Sequence, residues 1–557
     1  MSARRLAVVS GVLSLAWLLL VWGLGSHLVS EAYAGRGPGF LVKALSARRD
    51  FVAVEHYLGR VRLLALGGVV AIMAGAIAGS LLLQDARNGS PLARRIVLPA
   101  SATSLAGMRI GACSVTLLSV LLEDPASTAK LPGFTILPSG MGLMGIVRQL
   151  PGMNSLLHSA SLLHALKIIT VLCLLAGLAG FRTRLTLPLA LLSALLMGGV
   201  LRMYTHYFHT GLLPLYVLAV LAFAPCADAW SLDSWRARRA GRPVLPAEEP
   251  SLRYGFPRFA VWCVLGFSYF AAGTSKLRHG GLGWWDGVNL KAKVLGDALQ
   301  VGSFDFPFLP VIDKMPLAVF SVMGIGTLIV ELGMVLVPFS ALARRIFPLG
   351  VMSLHLGILF AQEILFLDLI LIQGIFYDYR RAALPVYRWV AARLPGLLGE
   401  SAKPAVFAQP PPVALGTSAF ALYPIVYLAI IVLGAELYPI STWPMYSDRT
   451  KSTVVEYVLL HGEDASGRTV PVRLEDAIGV FAFSRDFDIV PYAFRPGVRG
   501  DLEKTLDVFA GAYNADKSAA ERLVAVHFER RQLDFTRQAI DEGAGELVER
   551  FVYRPRG

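Results

Sequence analysis

The chain has 557 residues, of which 55% are hydrophobic and 16% charged, and its mean hydropathy is +0.57. Soluble domains average about 25% charged residues, so an ordinary water-soluble globule is excluded. The net charge of +13 does not point to nucleic acid. Its Lys and Arg residues gather in small groups at the ends of apolar runs, as in Arg94-Arg95, Arg238-Arg239, Arg344-Arg345 and Arg380-Arg381, the positive-inside distribution of membrane proteins.

Met-Ser-Ala-Arg-Arg precedes an apolar run from Leu6 to about Val29. A signal-peptide core spans only about 7–15 residues, so this run reads as an uncleaved first helix, although Ala32-Tyr33-Ala34 also fits a cleavage site. At roughly 17–25 apolar residues per span, helices are predicted near 6–29, 61–84, 104–122, 161–181, 185–203, 210–226, 258–275 and 315–339. The run 346–377 is too long for one span and carries Gln362-Glu363 at its middle. Charge at the centre of a lipid-crossing helix is costly, so the run is split near 346–361 and 363–378, turning at a membrane face. A last span falls near 417–436, behind a proline-rich linker at 395–413.

The basic groups put the N-terminus and the even-numbered loops in the cytoplasm, against the one exception of the basic loop 30–60. Residues beyond 438 then lie outside the cytoplasm. There the chain turns polar. Val454–Leu460 and Thr469–Val472 flank the turn 462–467 as a hairpin, Asp501–Tyr513 has helical spacing, and Val524–Phe528 and Val548–Tyr553 read as strands. No catalytic motif stands out in this α+β segment. No internal repeat is visible, which argues against a repeat-built transporter. Cys113, Cys173, Cys226 and Cys263 sit in or beside apolar runs without a C-x-x-C pair, so neither a disulfide framework nor a metal site is expected.

Ionisable groups inside spans are functional candidates by default. Lys276 ends the predicted helix 258–275. It is either a lysine snorkelling to the interface or one held out of water, where the neutral amine needed of a base is favoured. His206 and His209 fall in Tyr204-Thr205-His206-Tyr207-Phe208-His209, as interfacial structural histidines or as ligand contacts. His355 lies within 346–361, and Glu363, eight positions on, falls near the same face if the helix continues. Glu331, inside 315–339, must find a donor or hold a proton. Lys276, the His206/His209 pair and the Gln362-Glu363 turn all come out on the outer face, with His355 about two turns deeper.

Tyr269-Phe270-Ala271-Ala272-Gly273-Thr274-Ser275-Lys276-Leu277, followed by Trp284-Trp285, resembles the aromatic-x-Ala-Gly-x-x-Lys-Leu signature of the vitamin K-dependent γ-carboxylases. It resembles equally their bacterial relatives, the horizontally transferred transmembrane (HTTM) domain family. Ser104-Leu105 with Arg109-Ile110-Gly111, His206 with Gly211-Leu212-Leu213, and Ser231-Leu232-Asp233 follow in the family's order, as do Glu331 and His355, over roughly residues 100–385. The resemblance implies that Lys276 is the base that deprotonates a reduced quinone. It implies His206 and His355 as hydrogen-bonding partners of the head group, with Glu331, Trp284 and Trp285 as substrate contacts; His209 and Glu363, polar groups placed at the same outer face, are expected as further contacts. In the carboxylases the quinone reacts with oxygen, and the resulting base takes a proton from a glutamate side chain that then adds carbon dioxide. Ser275 stands where the carboxylases have a second lysine and Thr205 where they have asparagine. Their large lumenal portion has no counterpart here.

The expectation is therefore an all-α polytopic bundle of about ten or eleven spans with a small C-terminal α+β domain. Residues 1–99 form an N-terminal extension with two spans, 100–385 the HTTM-like domain, 386–437 the linker and last span, and 438–557 the soluble domain. Expected partners are membrane lipids and a lipid-soluble quinone, with no nucleic acid and no metal. The alternative is a non-catalytic membrane scaffold or export-associated protein whose outer domain binds a partner.

Overall fold

The computed structural model describes residues 3–46, 53–87, 95–131, 150–203, 211–300, 308–377, 422–433, 438–473, 499–541 and 543–555, with a few positions between. His206, Arg380-Arg381 and nearly all of the proline-rich linker lie outside the described residues. The chain is mostly helical. α1 (Ala3–Leu18) runs through a π turn, Leu19–Leu24, into α2 (Gly25–Tyr33). α3 (Val54–Arg87), α4 (Ala102–Leu122), α5 (Ala160–Ala179), α6 (Thr183–Arg202) and the short α7 (Leu212–Leu221) follow. Next come α8 (Leu252–Gly280), α9 (Gly287–Ala298), α10 (Leu317–Gly333), α11 (Ala341–Gln362), α12 (Leu367–Leu371) and α13 (Leu422–Leu433).

Among the described residues seven helices are long and apolar enough to cross a membrane: Val8–Tyr33, Tyr57–Ala78, Ala102–Lys130, Ala160–Ala179, Thr183–Arg202, Leu317–Leu336 and Ala341–Gln362. Large apolar side chains such as Val70, Leu172, Val322 and Leu342 are exposed along them. Seven of the expected spans thus have a helix of spanning length. Two others are shorter than expected. The segment 210–226 holds only the ten-residue α7. The segment 363–378 holds α12 and a 3-10 continuation, Ile372–Phe376. The last span holds α13 within the described residues.

α8 departs the other way. Expected over 258–275, it runs 29 residues from a Ser251 cap to Gly280, and 22 of them are buried. It packs against α4, α7, α10 and α13, which makes it the central post of the bundle. A helix apolar on every side belongs in such a place. Gly273 sets one of these contacts: a Cβ there would come within 3.0–3.1 Å of Leu332 and the Glu331 Cβ. Only a residue without one lets α10 approach this closely.

Some residues of the family-like pattern hold the fold together. Buried Arg109 donates to the carbonyls of Cys226 (2.9 Å) and Trp230 (2.5 Å). Ser231 caps the helix Leu232–Arg239. Asp233 accepts from the backbone N–H of Arg182 and Thr183 at 2.8 and 3.0 Å, which ties off the start of α6. Asp368, in the expected span 363–378, accepts from Gly211 N at 2.7 Å at the start of α7.

The C-terminal segment folds as expected. β1 (Val454–Asp464), β2 (Thr469–Pro471), β3 (Leu523–Asp534) and β4 (Glu546–Tyr553) form one antiparallel sheet of order β2-β1-β3-β4, with α14 (Arg499–Asn514) beside it. Period-2 alternation separates two apolar sets. Leu460, Val526 and Phe528 join the core of Leu502, Leu506 and Phe509 from α14. Val455, Tyr457 and Leu533 point the other way, onto Ala292 and Leu295 of α9. The sheet is therefore seated on the bundle through α9.

Candidate functional site

A cavity of about 420 Å³ opens between α8, α10 and α11. Its walls are apolar, with Met323 and Val330 from α10 and Ile358 from α11 among them. Trp443, Met445 and Tyr446, from the strap leading to β1, also line it. The strap is fastened to α9 and the turn before it. Trp284 Nε1 donates to Tyr446 O (2.7 Å), Thr450 N to Asn289 Oδ1 (3.0 Å), and Lys293 pairs with Asp448 (3.4 Å).

Four of the residues singled out in the sequence line this one cavity: Lys276, Glu331, His355 and Trp284. Lys276 does not snorkel. α8 continues a full turn past it, so the residue sits inside the helix, and its Nζ lies 2.8 Å from Glu331 Oε1. The two side chains are 5% and 6% exposed. The Trp284 ring lies 5.5 Å from Nζ, within cation–π range. Glu331 Oε2 has no hydrogen-bond partner among the described residues, and neither has His355 Nδ1. His355 Nε2 is 3.1 Å from the Tyr269 hydroxyl.

The remaining candidates stand elsewhere. His209 is buried beside the strap, its ring 5.2 Å from that of Trp443, and is not among the lining residues. Trp285 is exposed, its backbone packed on Gly324 of α10. Glu363 does not share a helical face with His355: α11 ends at Gln362, and Glu363 takes a left-handed conformation. Its carboxylate accepts from the N–H groups of Phe304 (2.7 Å) and Phe306 (2.8 Å) and so braces a loop rather than facing the cavity. His206 lies outside the described residues.

Sequence reasoning missed several groups. Tyr269 lies seven residues before Lys276, two turns back on the same face, and that spacing was the available signal. Gln373 donates to the Tyr269 hydroxyl (3.3 Å) and to Leu369 O (3.1 Å). At the mouth, Asp297 Oδ2 accepts from Gln362 Nε2 (2.7 Å) and from the Tyr446 hydroxyl (3.0 Å), joining α9, α11 and the strap. Asp297 lies outside the spanning helices, and burial pushes its carboxyl up to about 6.

What these contacts define is a mostly helical bundle, with seven helices long and apolar enough to cross a membrane, and an ion pair sunk in an apolar cavity beside a hydrogen-bonded imidazole. Compared with known protein families, with curated proteins and with solved structures, the chain gives no match.

Proposed function

We propose that this is an integral membrane protein of ten or eleven spans, resembling the HTTM and γ-carboxylase family. In this reading it binds a quinone-type lipid in the cavity and uses Lys276 as the base toward a hydroxyl of the head group. The N-terminus is cytoplasmic and the C-terminal sheet extracytoplasmic. One observation carries the reading: the Lys276–Glu331 pair faces an apolar cavity rather than water. The cavity suits such a ligand, with apolar walls for a lipid tail and unpartnered polar atoms on Glu331 and His355 for a head group. For Lys276 to be the base, its ammonium first passes a proton to Glu331 Oε1, 2.8 Å away, leaving a neutral amine beside a neutral carboxyl; the amine then takes the proton of a head-group hydroxyl. The product is an ammonium at Lys276 beside a protonated Glu331, with the positive charge next to the oxygen that gave up the proton. Exclusion of water strengthens that attraction.

The test is to purify the protein with native lipid and extract it for quinones, beside a Lys276→Ala variant, with a growth phenotype scored for both. A quinone in the native protein and a phenotype for the variant are expected. No quinone in either, with a silent variant, refutes the reading.

The alternative of a partner-binding scaffold is favoured by β4, an edge strand with exposed Leu547, Val548 and Val552. Deleting the C-terminal domain does not separate the two, because its strap lines the cavity. Lys276→Met does: it is silent for a scaffold.

A further inference from the structure

The polar contacts around His355 fix which of its nitrogens carries hydrogen. Gln373 Nε2 lies 3.1 Å from the backbone carbonyl of Leu369, which can only accept, so the amide orientation is set. The same nitrogen lies 3.3 Å from the Tyr269 oxygen and donates its second hydrogen there. The Tyr269 hydroxyl hydrogen is thereby directed at His355 Nε2, 3.1 Å away. A charged imidazole buried near the Lys276 ammonium, without a carboxylate of its own, would be costly. In the neutral ring, accepting at Nε2 leaves the hydrogen on Nδ1. That atom has no partner among the described residues, and the side chain is 6% exposed on the cavity wall.

We infer that Tyr269 and Gln373 are positioning residues that lock His355 with its hydrogen on Nδ1, leaving one donor and one acceptor buried in the cavity wall, which a bound head group uncovers. The donor is His355 Nδ1–H. The acceptor is Glu331 Oε2, whose sister oxygen is held by Lys276. The matching head group carries an oxygen acceptor and a hydroxyl on one ring or short frame, with an apolar tail along α10 and α11. This deepens the quinone reading and rests on it for the ligand, but the hydrogen's position on His355 does not.

The experiment uses the full chain labelled with 15N-histidine in lipid nanodiscs, with the His355 signals assigned by their loss in His355→Phe. The wild type is expected to carry hydrogen on Nδ1. Tyr269→Phe and, as a second route, Gln373→Leu are expected to shift the imidazole toward the other tautomer, with melting curves to confirm folding. Ubiquinone-1, whose carbonyl can accept from Nδ1–H, should bind at least about tenfold more weakly to Tyr269→Phe, equivalent to about 1.4 kcal/mol. Hydrogen on Nε2 in the wild type, or an unchanged tautomer in both variants, overturns the lock. A changed tautomer with unchanged ubiquinone-1 affinity overturns the donor role. If ubiquinone-1 does not bind the wild type while Nδ1 carries the hydrogen, the lock stands and the quinone reading fails.

Discussion

Removing Glu331 should be far more damaging than removing the whole ion pair. With side chains 5% and 6% exposed and 2.8 Å between the charges, neither partner has water to fall back on. Glu331→Leu leaves an ammonium in an apolar cavity, and breaking one side of a buried pair costs about 3–5 kcal/mol. Lys276→Met leaves a carboxyl that can neutralise itself by binding a proton, so its cost is smaller. The double variant Lys276→Met/Glu331→Leu removes both charges and fills their volume with apolar atoms, and such replacements are often neutral or stabilising. It should therefore lie within about 1 kcal/mol of the wild type, giving a coupling of about 3 kcal/mol between the two sites. Equilibrium unfolding in mixed micelles, by titration with denaturing detergent, measures all four corners of the cycle. If Glu331→Leu unfolds within about 1 kcal/mol of the wild type, the ammonium has found water, and the dry ion pair on which the proposed chemistry stands is wrong.

Two titrations should pull stability in opposite directions. Asp297 holds its proton to about 6 in the fold but releases it near 3.8 in an unfolded chain. Between those values only the folded chain is protonated, so stability falls as pH rises through the window. Asp297→Asn should remove that slope in thermal melts across the range. His461, stacked on His527 at 4.8 Å, is shifted below 6.5 by burial and by that neighbour. Its contribution is intact above about pH 6.5 and is lost as pH falls, and His461→Gln should flatten the acid side. Gly326 lines the cavity and a Cβ there would meet nothing within 4 Å. Gly326→Phe should therefore project into the cavity, exclude ubiquinone-1 from binding, and change stability by no more than about 0.5 kcal/mol; retained binding would show that the ligand sits elsewhere.

What could be read in the sequence follows from what is local. The alternation of Val455 and Tyr457, and of Val526 and Phe528, encodes strands with two distinct faces, and all four strands appear where that pattern falls. Long apolar runs gave the positions of the seven spanning-length helices for the same reason. Lys276 stood out because its charge ends an apolar run, but its partner is 55 residues away in sequence, and no local pattern encodes that pairing. Continuation of α8 to Gly280 was hidden because Lys276, Arg278 and His279 read as an interface, while in the fold they remain helical. Glu363 was misread because a left-handed residue after Gln362 redirects the chain, and nothing in Gln-Glu announces that conformation. Gln373 and Tyr269 were passed over as neutral side chains in apolar runs, yet their hydrogens determine what His355 can do.

The energetics argue that this pair is not kept for stability. A buried ion pair is weak evidence for stabilisation, since apolar residues of the same volume serve as well or better. The cavity beside it is walled by apolar side chains. A dry ion pair set against such a space, braced by Gly273 on one side and by Tyr269 and Gln373 on the other, makes sense if the space is for a ligand and the charges are for its polar end. The double variant of the ion pair then becomes the decisive molecule. It should fold as well as the wild type and bind an apolar tail, yet fail to take a proton from a bound quinol, and a double variant that still does so would leave the pair with no chemical role.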